Sequence, residues 1–551
     1  MPWPSMTKNT PNPLLAEAAG HHQSGRLDVA EGIYRRILAE DPRNSEAMQL
    51  LGTLLCQRGD MRDGIELIRR SIAIQPTAHA FINLSEFCRR LGNQQKAMES
   101  ILDAIRLKPS AIAYDKLAVL LMDLGFGDAA EDAMRAASRF DVNHTERLRM
   151  LETFLHEKPP ASPRDQIEGI NDLGMLLTLS AALTHVHRYS IAIEAAQRAI
   201  ALRPNLVDAH VNLGSILGLN GNYNESITAC EKAISLDSQN PGAHLNLAMA
   251  HLVQGDLARG LPLYEWRSRT RTHRRRNFTQ PQWDGRPLHG KSILLWHEQG
   301  LGDTMHFVRY VPQVIASGGK VILQVQAELL RLIQNCFPAA RCISSDGDPG
   351  NFDLQSSLLS LPMAFGTTLE TIPASVPYLR PPAELIDKWQ QKLQPFTGRP
   401  RVGLTWAGRL ENNFNSMRSI KLKQLAPLTN SGATFFSLQK SKPDSEFAEP
   451  PTGMRTVDWT SELNDLCDTA ALIANLDLVI SVDTAVAHLA GAMAKPVWVF
   501  VTKVPDWRWL LDRRDSPWYP TLRLFRQPKA GDWETPINLA ADELRNYSKM
   551  S

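Results

Sequence analysis

The sequence predicts an α-helical repeat array followed by two α/β units in succession. Three observations predict it. Segments ending AEDP, AIQP, RLKP and ALRP place prolines at Pro42, Pro76, Pro109 and Pro204, the first three spaced by 34 and 33 residues. From Lys291 the pattern changes to apolar runs of five or six residues alternating with amphipathic helices, the mark of α/β folding. A second series of such runs begins at Arg401. At about 100–200 residues per domain, 551 residues hold three or four folded units.

Composition bounds the function before any motif is read. Lys and Arg number 60 and Asp and Glu 58, a net charge of +2. That balance excludes a uniformly basic nucleic-acid coat and an acidic disordered tail, and leaves only local patches open. With 43% hydrophobic and 21% charged residues the chain reads as globular with ample core. The opening MPWPSMTKNTPNP has no charged stretch followed by an apolar run, so no signal peptide is expected. The most apolar stretch, residues 470–501, contains Asp477, Asp483, His488 and Lys495, so it reads as buried strands and helices and no membrane span is expected. Cys56, Cys88, Cys230, Cys336, Cys342 and Cys467 are scattered without a CxxC pair, which predicts free thiols, no metal and a cytoplasmic setting.

Aligned on the prolines, small and apolar positions also fall together. Leu51-Gly52, Leu84-Ser85 and Leu213-Gly214 share one place, Gly64, Ala97, Ala130 and Ala192 a second, and Ala104, Ala137, Ala199 and Ala233 a third. Small residues let two helices approach, and a proline stops the second of them. The pattern resembles the tetratricopeptide repeat, with about seven units over residues 21–268 after an N-terminal tail of residues 1–20. Residues 143–170, which include Pro159-Pro160-Ala161-Ser162-Pro163, break the period and read as an irregular unit or a hinge. A continuous stack offers a groove for a protein or peptide; the plain alternative is a scaffold.

The joint is basic. WRSRTRTHRRR, residues 266–276, holds six arginines in eleven positions. It reads as a solvated helix end and linker (269–290) or as a phosphate contact, and it has no interleaved aromatics on which bases would stack, so no nucleic-acid partner is expected.

In the first α/β unit, residues 291–380, 292–297 (SILLWH) read as a strand, 298–303 (EQGLGD) as a turn and 304–317 as a helix ending at Gly318-Gly319. Residues 321–325 form the next strand and 352–355 a later strand edge. After a linker, 381–400, the second unit (401–530) has strands at 401–406, 433–438, 477–482 and 497–501, and residues 531–551 make a C-terminal helix. Two open α/β sheets imply a ligand cleft at their strand carboxyl ends. Asp346-Gly347-Asp348 lies among Ser, Gly and Pro and reads as a turn, not a metal site.

Two motifs fall at that cleft. Gly300-Leu301-Gly302-Asp303 follows a strand and opens a helix. Its glycines permit close approach of a ligand, but the third glycine and the distal acid of a dinucleotide site are missing. Asp303 is either a general base or a helix N-cap. In Asp483-Thr484-Ala485-Val486-Ala487-His488 the strand DLVISV delivers a helix start whose free amides favour an anion such as a diphosphate. Asp483 can accept from sugar hydroxyls and Thr484 can donate to a phosphate, while His488, one turn on, is a ligand contact or a satisfied core histidine.

D-T-x-x-x-H-L-x-x-A closing one α/β unit and G-x-G-D opening the other resemble the heptosyltransferase-like glycosyltransferases of family nine, and the order of domains resembles the O-linked N-acetylglucosamine transferases. The phrases ISVDTAVAHLAGAMAKPVWV and WRWLLDRRDSPWYPTLRLFRQ are similar to bacterial repeat proteins with such a C-terminal region. The resemblance implies an α-solenoid of tetratricopeptide repeats followed by a two-Rossmann-like α/β GT-B region. It implies a metal-independent, inverting transfer from a nucleotide-diphosphate sugar to an acceptor hydroxyl, with no further cofactor. On it, Asp303 is the base, and Gly300, Gly302, Asp483, Thr484 and His488 serve the donor. Trp406 of the Trp406-Ala407-Gly408 loop serves the donor too, Arg418 beyond that loop is the cation that meets the leaving diphosphate, and Gln439 and Lys440 after the next strand line the nucleotide pocket; the plain alternative for each is a surface loop residue, the favoured one for Lys440. The alternative is a repeat-based adaptor whose transferase half is degenerate.

Overall fold

The computed structural model describes residues 13–141, 144–157, 162–270, 276, 278–408, 415–440 and 449–550. Two compact units divide between Asn212 and Leu213.

The first unit is a succession of helix pairs: α1 (Pro13–Gln23) with α2 (Leu27–Glu40), α3 (Ser45–Gln57) with α4 (Met61–Ile74), α5 (Ala78–Arg90) with α6 (Gln94–Leu107), and α7 (Ala111–Asp123) with α8 (Gly127–Ser138). α1 starts inside the expected tail, where Leu15 and Ala18 are buried against α2 and α3. The first helix of each of three pairs is capped locally: the side chains of Asn44, Thr77 and Ser110 accept from the amides of Ala47, Ala80 and Ala113. Pro42, Pro76, Pro109 and Pro204 each lie two residues past a helix end, where the ring cannot clash with a preceding turn. Within α3–α4 the backbones nearly touch: a Cβ on Gly52 would lie 2.6 Å from the Gly64 carbonyl oxygen. The irregular stretch holds α9 (His144–Glu157) and a seven-residue α10 (Pro163–Gly169), with residues 158–161 outside the described ones, before α11 (Leu173–His185) and α12 (Tyr189–Leu202) restore the pairing.

The division falls within α13 (Val207–Leu219), earlier than the expected joint at 268–291. The reason is hydrophobic. α14 (Tyr223–Leu236) is followed by α15 (Pro241–Val253) and α16 (Leu257–Tyr264), whose Leu252, Leu257, Leu261 and Tyr264 are buried in one cluster with Ile293, Leu295, Phe307 and Trp507 of the α/β part. The last repeats therefore fold with the sheets, through a 3-10 turn at Glu265–Arg269.

The α/β part has two wholly parallel sheets. The first comprises β1 (Ser292–Trp296), β2 (Lys320–Val325), β3 (Arg341–Ser344) and β4 (Leu354–Ser357) in the order β3-β2-β1-β4. The second runs β10-β9-β8-β5-β6-β7, from β5 (Arg401–Thr405), β6 (Thr434–Ser437), β7 (Thr456–Val457), β8 (Leu478–Val482), β9 (Val497–Val501) and β10 (Leu522–Arg526). All five residues of β8 and of β9 are buried, as strands covered on both faces require. In each sheet the chain progresses to one side and then returns to the other, so β1/β4 and β5/β8 are switch points where ligands bind.

The helix expected over 304–317 differs. It begins three residues earlier as α17 (Leu301–Phe307), passes through a 3-10 turn at Val308–Tyr310 and resumes at Val311–Ala316. Pro312 near the start of the second segment lacks the N–H that would continue the first, and the buried Arg309 occupies the break. Asp346 accepts from the Ser344 hydroxyl at 2.8 Å and Asp348 from the Gly350 amide at 2.8 Å, local bonds that close a turn. Among the described residues no helix is long and apolar enough to cross a membrane.

Candidate functional site

β1, β8 and β9 each end in a loop that carries an acid, and the three loops meet. Leaving β1, the chain enters α17 at Gly300, and the Gly300 amide donates to Asp303 Oδ2 at 2.9 Å. Asp303 is therefore a cap. It is also an ion-pair partner, because its Oδ1 accepts from Arg508 Nη2 at 2.5 Å. Leaving β9, Asp506 accepts from the Arg508 amide at 3.0 Å and takes Arg508 Nη1 on both oxygens, at 2.8 and 3.0 Å. One buried guanidinium thus stands between two carboxylates. The guanidinium lies over the buried rings of Phe307 and Trp507, 5.2 and 4.8 Å from their centres. Leu510 follows at φ 52°, a conformation that costs a branched residue energy and persists only where its surroundings impose it.

Leaving β8, Asp483 and Thr484 start the helix Ala485–Ala492. Thr484 makes no side-chain cap; its hydroxyl bonds the Ser481 hydroxyl at 3.0 Å, so the first amides of the helix have no partner from that side chain. Gly302 brings α17 against this helix: a Cβ there would lie 2.9 Å from His488 Cδ2 and 3.5 Å from the Ala485 Cα. Gly302 thus serves helix packing. Gly300 has φ −71°, which any residue adopts.

Burial sets the charges. It pushes the Asp303 carboxyl above its ordinary range, an effect that Arg508 partly offsets. Asp483 is raised in the same way by burial and then by the neighbouring Asp506, with Arg418 opposing. Asp506, although partly sheltered, is held low by Arg508. His488 is driven down to about 3, by burial first and then by the charge of Arg508. It is neutral, stacked on Trp509 with ring centres 5.1 Å apart, and its Nδ1 bonds the Tyr519 hydroxyl at 3.0 Å. The same hydroxyl bonds His306 Nδ1 at 2.9 Å. A hydroxyl has one proton, so at most one of these nitrogens accepts from it and at least one donates to its oxygen.

The second sheet contributes the remaining candidates. The Gln439 side-chain oxygen accepts from the amides of Trp406 and Ala407 at 3.2 and 3.0 Å, which fixes the loop after β5. Arg418 ends a short helix, Asn415–Arg418, and its charge acts on Asp483; its Nε is buried without a partner among the described residues. Lys440 is engaged with the backbone. Its Nζ donates to the carbonyls of Thr460 (2.9 Å) and Leu463, because the turn there leaves carbonyls that need a donor. In the basic cluster, Arg267 is buried and bonded to Glu298 and Glu265, contrary to a solvated end; residues 271–275 lie outside the described ones.

Arg508, Asp506, His306 and Tyr519 were not singled out by the sequence. A signal existed: PDWRW follows β9 as Asp483-Thr484 follows β8, at a strand carboxyl end beside a switch point.

With this geometry in place, the likenesses to known proteins can be set beside it. Residues 21–86, 78–110 and 207–240 match tetratricopeptide repeat models, and residues 448–500 match glycosyltransferase family 9 (heptosyltransferase). The chain therefore carries tetratricopeptide repeats in its N-terminal region and a glycosyltransferase family 9 domain toward its C-terminus, the make-up of a glycosyltransferase with a repeat region for interaction. It is 25% identical over 590 residues to Protein FlbA of Caulobacter vibrioides, covering 94% of this chain and 96% of that one. Among solved structures, the glycosyl transferase family 9 protein from Veillonella parvula covers 48% of this chain and 97% of its own at 9% identity and a TM-score of 0.33. A MamA protein covers 41% and 91% at 18% identity and a TM-score of 0.20.

Proposed function

We propose that the second unit transfers a sugar, with inversion and without a metal, from a nucleotide-diphosphate donor to a hydroxyl of a protein or peptide recruited by the repeats. One observation carries the reading: a partly buried carboxylate, Asp303, directly follows Gly302, which packs against Ala485 and His488 of a helix whose start has no side-chain cap, at the carboxyl ends of strands from two parallel sheets.

In this reading the acceptor hydroxyl gives its proton to Asp303 as its oxygen attacks the anomeric carbon from the face opposite the diphosphate. The bond from that carbon to the diphosphate breaks and both electrons leave with the phosphate oxygen. Burial makes Asp303 a stronger base than an exposed aspartate, and its Gly300 and Arg508 bonds fix its direction. Negative charge on the leaving diphosphate is met by the amides of Ala485 and Val486 and by Arg418. Gln439 sets the Trp406 loop at the base of the nucleotide.

The test is direct. Uridine, guanosine and adenosine diphosphates are screened by thermal shift; a ligand at 100 times its Kd stabilises the native state by about 2.7 kcal/mol. At least one is expected to raise the melting temperature, and no shift from any of them would remove the donor assignment. Asp303→Asn is then expected to lower turnover by about 10²–10⁴-fold while keeping the nucleotide shift. Unchanged turnover would remove Asp303 as the base.

A further inference from the structure

Arg267 is 5% exposed and surrounded by acceptors. Its Nε and Nη2 donate to the two oxygens of Glu298 at 2.8 and 2.9 Å, and Nη2 also reaches the Ser360 hydroxyl at 2.9 Å. Nη1 donates to Glu265 at 2.6 Å and to the Tyr264 carbonyl at 3.2 Å. Glu298 is held further by the Ser357 hydroxyl, at 2.6 Å. It stands two residues past the end of β1, on the loop that leads into α17.

The next residue is tied from the same side. The Gln299 side chain donates to the Tyr264 hydroxyl at 3.2 Å, and the Gln299 carbonyl accepts from Gln326 at 2.9 Å. The third residue, Gly300, gives its amide to Asp303. Three consecutive residues are thus pinned, and two of the pins come from the last repeat helix and the turn after it. The Tyr264 ring also meets Trp507, the neighbour of Arg508, with centres 6.3 Å apart. Nothing in an α/β sheet by itself requires these two side chains, which come from the helical half.

We propose that Tyr264 and Arg267 are positioning residues of the transferase: the end of the repeat array holds loop 298–300, and through it the Asp303 carboxylate, against Arg508. The effect on transfer rests on the reading of Asp303 given above; the hold on the loop does not. A guanidinium fork is needed, because a lysine ammonium makes one point contact and cannot satisfy both Glu298 oxygens and Ser360 together.

The experiment compares the full chain with Arg267→Gln, Arg267→Lys and Tyr264→Phe by amide hydrogen exchange, read on peptides covering 297–304 and 478–490. Arg267→Gln is expected to speed exchange in 297–304 about tenfold or more with 478–490 unchanged, Arg267→Lys to restore part of the protection, and Tyr264→Phe to give a smaller acceleration in the same peptide. Unchanged exchange in 297–304, or equal acceleration in both peptides, would overturn the proposal. If Arg267→Gln fails to fold, the other two variants decide on the same criterion. Uridine diphosphate binding by calorimetry separates the two readings. Affinity within about twofold of wild type is expected in Tyr264→Phe and Arg267→Lys. Nucleotide affinity lost without a change in exchange would make Arg267 a donor contact and overturn the positioning role. No nucleotide bound by the wild-type chain would count against the transferase reading, and the exchange result would still decide this one.

Discussion

The repeat helices and the cleft treat buried polar groups in opposite ways. In residues 13–212 the buried polar side chains are mostly short and neutral and bond a nearby carbonyl, as Ser85 donates to Ala97 at 2.7 Å and Ser71 to Ser45 at 2.6 Å; the exception, Asp115, is paired with Arg147 at 2.7 Å. Where a carboxylate is half-sheltered there, as at Glu86, cations surround it. Burial works against its charge, but hydrogen bonds from Lys116, Arg90 and Arg89 prevail and hold it down to about 2. In the cleft, Asp303 and Asp483 are no more sheltered than Glu86 but are pushed the other way, because desolvation outweighs the cations near them, and the buried Arg508 is shared with a second carboxylate, Asp506. Buried ions are a poor means of stabilising a fold, since desolvation offsets most of their attraction. The contrast separates a region built for stacking from one that keeps charge in low dielectric, where it acts strongly on a charged ligand.

The contrast can be broken most forcefully at Arg508. Replacing it with methionine leaves the partly sheltered Asp303 and Asp506 without their cation, and about 1–3 kcal/mol of stability should be lost in chemical denaturation of the full chain. An unchanged midpoint would mean that the cleft holds no charge worth the name. A comparable loss tests the repeats. Gly52→Ala drives a methyl into the Gly64 carbonyl and should cost about 1–3 kcal/mol, whereas Gly20→Ala, with open space around it, should cost nothing by the same measurement.

Acid sharpens the comparison because the signs differ. Glu86, lowered in the folded state, contributes stability above its ordinary 4.5 that is lost as pH falls through about 2. Asp303 and Asp483, raised, contribute stability that is complete below the ordinary 3.8 and is lost as pH rises through their higher native values. Denaturant midpoints followed from neutrality toward pH 3 should therefore show Glu86→Gln losing its deficit on acidification. Asp483→Asn should lose the gain that the wild-type chain makes. Parallel curves for both variants would refute the opposition. The smallest effect is expected at Ser85→Ala, about 1 kcal/mol for one hydroxyl-to-carbonyl bond.

What was legible in the sequence follows the same line. The prolines at 42, 76, 109 and 204 marked helix ends because a ring that lacks an N–H acts within a few residues of itself. Val497–Val501 was read to the residue because a strand covered on both faces is apolar throughout. The broken helix at Val308–Tyr310 was not legible, since the reason for the break includes Arg309, which donates to the Trp518 carbonyl and the Tyr378 hydroxyl. Lys440 looked like any loop cation until the Thr460 and Leu463 carbonyls were placed beside it.

By itself the sequence determined the two architectures, the order in which they come, and the loops that end at Asp303 and Asp483-Thr484, because capping, periodicity and chain stiffness act over a turn or a repeat. Only the tertiary structure decided what those loops meet. Asp303 and Arg508 are 205 residues apart and His306 and Tyr519 are 213 apart, while Arg267 left a basic run to hold a loop of the sheet. Such pairs form when packed helices and sheet ends close long stretches of chain, and nothing in the local pattern around either partner specifies the other.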